Sequence, residues 1–99
     1  MKEQVVVTRK YAESLAVQAL TFIAAEPERL GRFLALTGIG PADIRNAARE
    51  SRFLAGVLEH VSGDEALLVA FAAAAGIDPA MIARARAALG GGTWEREVP

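Results

Sequence analysis

Three internal prolines, Pro27, Pro41 and Pro79, keep this chain from forming any long helix. Proline lacks a backbone N–H and clashes with the preceding helical turn, so it opens helices and does not sit inside them. Strands do not offer an alternative. The only β-branched run is Val5-Val6-Val7, too short to build a sheet alone. Alanine, the strongest helix former, fills 21 of the 99 positions. The chain is therefore expected to be all-α: a compact bundle of five or six short helices with no sheet.

The first helix is predicted from Arg9 to Ala25, with Ala12, Leu15, Ala16, Ala19, Phe22 and Ile23 on one buried stripe. A second runs from Pro27 to Thr37 and a short third from Pro41 to Arg49. The fourth, Ser51 to Val61, carries Phe53, Leu54, Val57, Leu58 and Val61 on one side. Ser62 and Glu65 have capping-box spacing for a fifth helix reaching Ala75. That helix is apolar all round, so a central position is expected for it. Asp78 and Pro79 should open a sixth helix ending near Leu89. The predicted core includes Phe33, Leu34, Phe53, Val57, Leu68 and Phe71. A length of 99 residues suits one domain. Residues 1–8 read as an N-terminal extension, 9–89 as a single helical domain and 90–99 as a flexible glycine-rich tail.

Two corners are nearly the same sequence. Gly38-Ile39-Gly40-Pro41-Ala42-Asp43-Ile44 matches Gly76-Ile77-Asp78-Pro79-Ala80-Met81-Ile82 at an offset of 38 residues, and six of ten positions are identical over 38–47 against 76–85. In each, the glycine is expected to end a helix in the left-handed conformation, with the isoleucine packing back as in a Schellman motif. The proline then starts the next helix. The pattern fits two related helix–corner–helix units, by internal duplication or by convergence on the same capping chemistry.

The string from Pro27-Glu28-Arg29-Leu30-Gly31 to Gly40-Pro41 resembles the signature of a small bacterial family known as domain of unknown function 3572. Asp64-Glu65-Ala66-Leu67-Leu68, Gly76-Ile77-Asp78-Pro79 and the closing Ala88-Leu89-Gly90-Gly91-Gly92 with Trp94-Glu95-Arg96 are similar to it too. The resemblance covers the chain from about Glu13 onward. It implies a stand-alone helical protein and brings no activity, ligand or catalytic residue.

A net charge of −1 argues against a strong generic binder of nucleic acid or of a membrane surface, which needs a basic excess. The longest apolar run, Ala66 to Ala75, falls well short of the roughly 20 residues of a membrane span. Val5-Val6-Val7 is cut off by Thr8-Arg9-Lys10, too early for a secretory signal. The absence of cysteine fits a cytoplasmic location and excludes disulfides and thiolate metal sites.

The sharpest local motif is Leu36-Thr37-Gly38-Ile39-Gly40-Pro41. It looks like the turn of a helix-hairpin-helix DNA-binding motif, in which backbone amides around Gly38 and Gly40 would meet a phosphate. Arg45, Arg49 and Arg52 follow at helical spacing and would extend such a face, or meet an acidic protein patch. Ile44 stands where that motif usually has a small residue, and Asp78 replaces the second glycine in the other copy. Nucleic acid is therefore not the expected partner. His60, the single histidine, has Asp64 and Glu65 nearby, but carboxylates at helix starts are ordinary caps. No nucleophile elbow, P-loop or dinucleotide fingerprint is present, so no catalytic residue, metal or cofactor is assigned. Trp94, beyond three glycines, suits a linear anchor for a partner. The favoured reading is a non-enzymatic protein-interaction or adaptor module, with Arg45, Arg49, Arg52 and Trp94 as interaction residues. Nucleic-acid binding through Gly38 to Pro41 is the alternative.

Overall fold

The computed structural model describes residues 7–91, and these are all-helical. The helices are α1 (Arg9–Ala24), α2 (Pro27–Thr37), α3 (Ile44–Ala47, entered through a 3₁₀ turn at Pro41–Asp43), α4 (Ser51–Ser62), α5 (Glu65–Ala75) and α6 (Pro79–Arg86). A π-helical turn, Ala87–Gly91, carries the helical path two residues past the expected start of the tail. At the other end, Val7 packs against the core, and Thr8 caps α1 by accepting the Tyr11 N–H at 3.0 Å. No single helix among the described residues is long and apolar enough to cross a membrane.

The centre of the molecule is the mutual packing of α1, α4 and α6. On α1, Ala12, Ala16 and Ala19 are fully buried, and so is Ile23. Methyl-sized side chains let the helix backbones approach closely. Val57, Leu58 and Val61 of α4 and Ile82 and Ala85 of α6 complete this seam with no exposure. Ser51 at the start of α4 donates a hydrogen bond to Glu13 Oε2 at 2.8 Å, and Arg9 donates to the Ser51 hydroxyl at 3.4 Å. The first turns of α1 and α4 are thereby tied together.

Three expectations are corrected here. Helix α5 lies at the edge, against α4 and α6, and not in the middle. It buries only Leu67, Phe71 and Ala72, while Val69 remains 56% exposed. The reason is its alanine content. Alanine is apolar enough to look like core, but it loses little hydrophobic free energy when left in water and is kept for helix propensity. Of the predicted core, Phe33, Val57 and Phe71 are buried, whereas Leu34, Phe53 and Leu68 are half-buried and pack against the core from outside. The third correction concerns the start of α5. Ser62 remains the last residue of α4, and Asp64, in extended conformation, accepts the Leu67 N–H at 3.2 Å.

Gly38 and Gly76 both take the left-handed conformation, at φ 76° and 71°. Their hydrogen bonding differs. At Gly76 the Ile77 N–H reaches Ala72 O at 3.0 Å and the Gly76 N–H reaches Ala73 O at 3.3 Å, the two bonds of a Schellman motif. At Gly38 a single bond runs from its N–H to Leu34 O at 2.8 Å, and the Ile39 N–H turns to the Thr37 hydroxyl at 3.3 Å. The corners then part company. Asp78 caps α6 by accepting the Ala80 N–H at 2.9 Å, and α5 and α6 are bent by 104°. Gly40 has no side chain to cap with, and only a 3₁₀ turn and the four-residue α3 follow.

Candidate functional site

Arg29 of α2 stands next to two recesses. The first is a polar cleft of about 290 Å³ lined by Glu26, Glu28, Arg29, Arg32, His60, Asp64, Ala66 and Leu67. Asp64 has a carboxylate oxygen on each side of this junction. Oδ1 caps α5, and Oδ2 pairs with Arg32 Nη1 of α2 at 3.8 Å. His60, in the last turn of α4, stands edge-on to Phe33 with centroids 5.1 Å apart. Its pKa lies below the 6.5 of an unperturbed imidazole, chiefly because burial penalises the charged ring. Asp64 pulls it up, and Arg32 pushes it further down. Among the described residues no group of three or more His, Asp or Glu side chains is placed to hold a metal ion.

The second recess is an apolar groove of about 360 Å³ between α1 and α5. Val17, Gln18, Thr21 and Phe22 supply one side, and Phe71, Ala74 and Ala75 supply the other. Phe22 and Phe71 meet in it, with ring centroids 5.5 Å apart and planes inclined at 53°. The Thr21 hydroxyl is spent on its own helix, donating to Val17 O at 2.9 Å. Val17 remains 44% exposed. Arg29 of α2 joins the two recesses. It lines the polar cleft, and its guanidinium carbon lies over the Phe22 ring, 4.5 Å from the centroid.

The residues singled out in the sequence lie elsewhere. Arg45, Arg49 and Arg52 are all exposed. They do not form one helical stripe, because α3 ends at Ala47 and the chain passes through a turn and the extended Glu50 before α4 begins. Gly38 is left-handed, but Gly40 is ordinary extended backbone at φ −78°. A Cβ placed on Gly40 would lie 3.4 Å from Asp43 Oδ2, so a carboxylate stands beside the amides that a phosphate would need. Trp94 lies outside the described residues. The pairings that build the two recesses had no sequence signal. Arg29 and Arg32 are simply an i, i+3 pair on α2, and nothing local connects them to Phe22 or Asp64.

The architecture defines a small all-helical domain with a polar cleft and an apolar groove on either side of one arginine. The chain belongs to the family described as Protein of unknown function (DUF3572), whose model matches residues 9–92. That match begins at the first residue of α1 and takes in every described helix and both recesses. No curated protein and no solved structure matches the chain.

Proposed function

We propose that this chain is a non-enzymatic protein-interaction module and that the groove between α1 and α5 receives an apolar side chain from a partner protein. The observation that carries this reading is the groove's lining. Five of its residues, Val17, Phe22, Phe71, Ala74 and Ala75, are apolar, and it opens to solvent with Val17 exposed. Covering such a surface is favourable by roughly 25 cal/mol per Å² of apolar area removed from water. The groove's polar side chains, Gln18 and the backbone-bonded Thr21, provide no acid, base or nucleophile for bond chemistry. The nucleic-acid alternative has less support. The Asp43 carboxylate sits beside Gly40, and Arg45 and Arg52 belong to separate helices.

The test is selection of a random displayed peptide library on the immobilised full chain, followed by binding of the enriched peptides to Val17→Asp. Residue 17 is on an exposed helical face, so the variant should fold and melt like the parent. Peptides that bind the parent and lose binding to Val17→Asp support the groove. Enriched peptides indifferent to Val17→Asp, or no enrichment at all, overturn it.

A further inference from the structure

Resting on the docking reading above, we infer that the segment held in the α1–α5 groove carries one aspartate or glutamate beside its apolar anchor, and that Arg29 receives that carboxylate. Among the described residues, no charged side chain lines the groove itself. The charge in contact with its wall is Arg29, whose guanidinium lies over Phe22, while Phe22 pairs with Phe71 inside the groove. A segment whose anchor rests on Phe22 therefore has a cation one ring away.

The stacking prepares the arginine for this role. A guanidinium held on an aromatic face has lost part of its rotamer freedom but keeps its in-plane N–H donors. Those donors match both oxygens of a carboxylate, so the ordering entropy is partly spent before the partner arrives. Among the described residues, the ion pairs within 4.0 Å are Arg9–Glu13 and Arg32–Asp64, and neither engages Arg29. Glu26 and Glu28 line the polar cleft together with Arg29. They would repel a run of acidic residues, which selects a single carboxylate over an acidic tract. Lysine in place of Arg29 would keep the charge and lose the planar fork.

The experiment extends the peptide selection to Arg29→Glu and Arg29→Lys. Peptides enriched on the parent should carry an aromatic or aliphatic residue with one Asp or Glu at a constant spacing. On Arg29→Glu the residue at that spacing should change to Lys or Arg, an outcome that an unfolded variant would not produce. A synthetic parent-selected peptide with its Asp changed to Asn should bind the parent about tenfold more weakly, as expected for loss of a charge-assisted hydrogen bond. The unaltered peptide should lose a similar factor on Arg29→Lys. Peptides that depend on Val17 but show no acidic preference, or keep their affinity after Asp→Asn, overturn this inference and leave the groove reading standing. Peptides indifferent to Val17→Asp overturn both.

Discussion

The imidazole of His60 meets the ring of Phe33 edge-on, with centroids 5.1 Å apart and planes at 78°. Phe33 is fully buried, and on another side it makes a similar edge contact with Phe53, at 6.0 Å and 74°. The histidine thus closes the outer end of an aromatic cluster that joins α2 to α4. Its other neighbours are charged. Asp64 and Arg32 act on it directly, Glu26, Glu28 and Arg29 line the polar cleft it shares, and Glu59 and Glu65 line a shallower recess beside it.

This placement sets a pH dependence with a definite sign. Burial holds the His60 pKa below 6.5 in the folded chain, so on unfolding the ring regains its higher proton affinity. The associated stability is full above the unfolded pKa and is lost as pH falls through 6.5 toward the folded value. Thermal unfolding from about pH 8 to about pH 5 should show the parent losing more stability on acidification than His60→Gln. An NMR titration of the imidazole gives a sharper check. Asp64→Asn should lower the His60 pKa further, because the raising charge is gone, while asparagine still caps α5. Arg32→Gln should raise it. Opposite movements would show that the Coulombic assignment is wrong.

The corner glycines make a second prediction. Gly38 and Gly76 have positive φ and open space where a Cβ would go. An alanine at either site therefore meets only backbone strain, about 1–2 kcal/mol in urea denaturation. Gly40→Ala should be nearly neutral, since Gly40 is extended and its Cβ would touch only Asp43 Oδ2 at 3.4 Å. Equal costs at all three positions would mean that left-handed geometry is not what the glycines supply.

Helix α5 yields the third. Phe71→Ala removes a ring that is 3% exposed and should cost about 3–5 kcal/mol. Val69→Lys, two positions earlier on the solvent side, should change stability by less than about 0.5 kcal/mol. Had α5 been central, both would be severe. Chemical denaturation of the two variants separates the cases.

The sequence announced helices where backbone chemistry is local. Pro27 at the first position and Gly38 after the last give α2 the same bounds in the prediction and in the structure. Helix α1 ends within one residue of its predicted limit, at the break before Pro27. What depends on distant partners was not legible. The capping-box spacing pointed to Ser62, but α4 runs through Ser62 to a C-cap at Gly63, which leaves Asp64 to cap α5. The position of α5 was misread because alanine counts as apolar in a pattern while its burial is optional. The groove needed Phe22 to meet Phe71, and the cleft needed His60 to meet Phe33, across four helices whose packing no local spacing encodes. The arginines that stood out, Arg45, Arg49 and Arg52, were conspicuous by spacing. Those that line the polar cleft, Arg29 and Arg32, were conspicuous by nothing.

The α1 seam has a consequence for how such a chain can change over time. Ala12, Ala16 and Ala19 have no solvent exposure, in a helix that packs mainly on α4 and α6. Adding even one or two methylenes to a packed site typically costs 1–3 kcal/mol. A larger side chain at any of these three positions is therefore tolerable only if a side chain packed opposite it has already lost volume. The exposed Ala73 of α5 and Ala83 of α6 are under no such constraint. Two sets of alanines that look alike in the sequence should therefore drift at very different rates. The first is locked into paired substitutions, and the second is free to vary with any residue that keeps the helix.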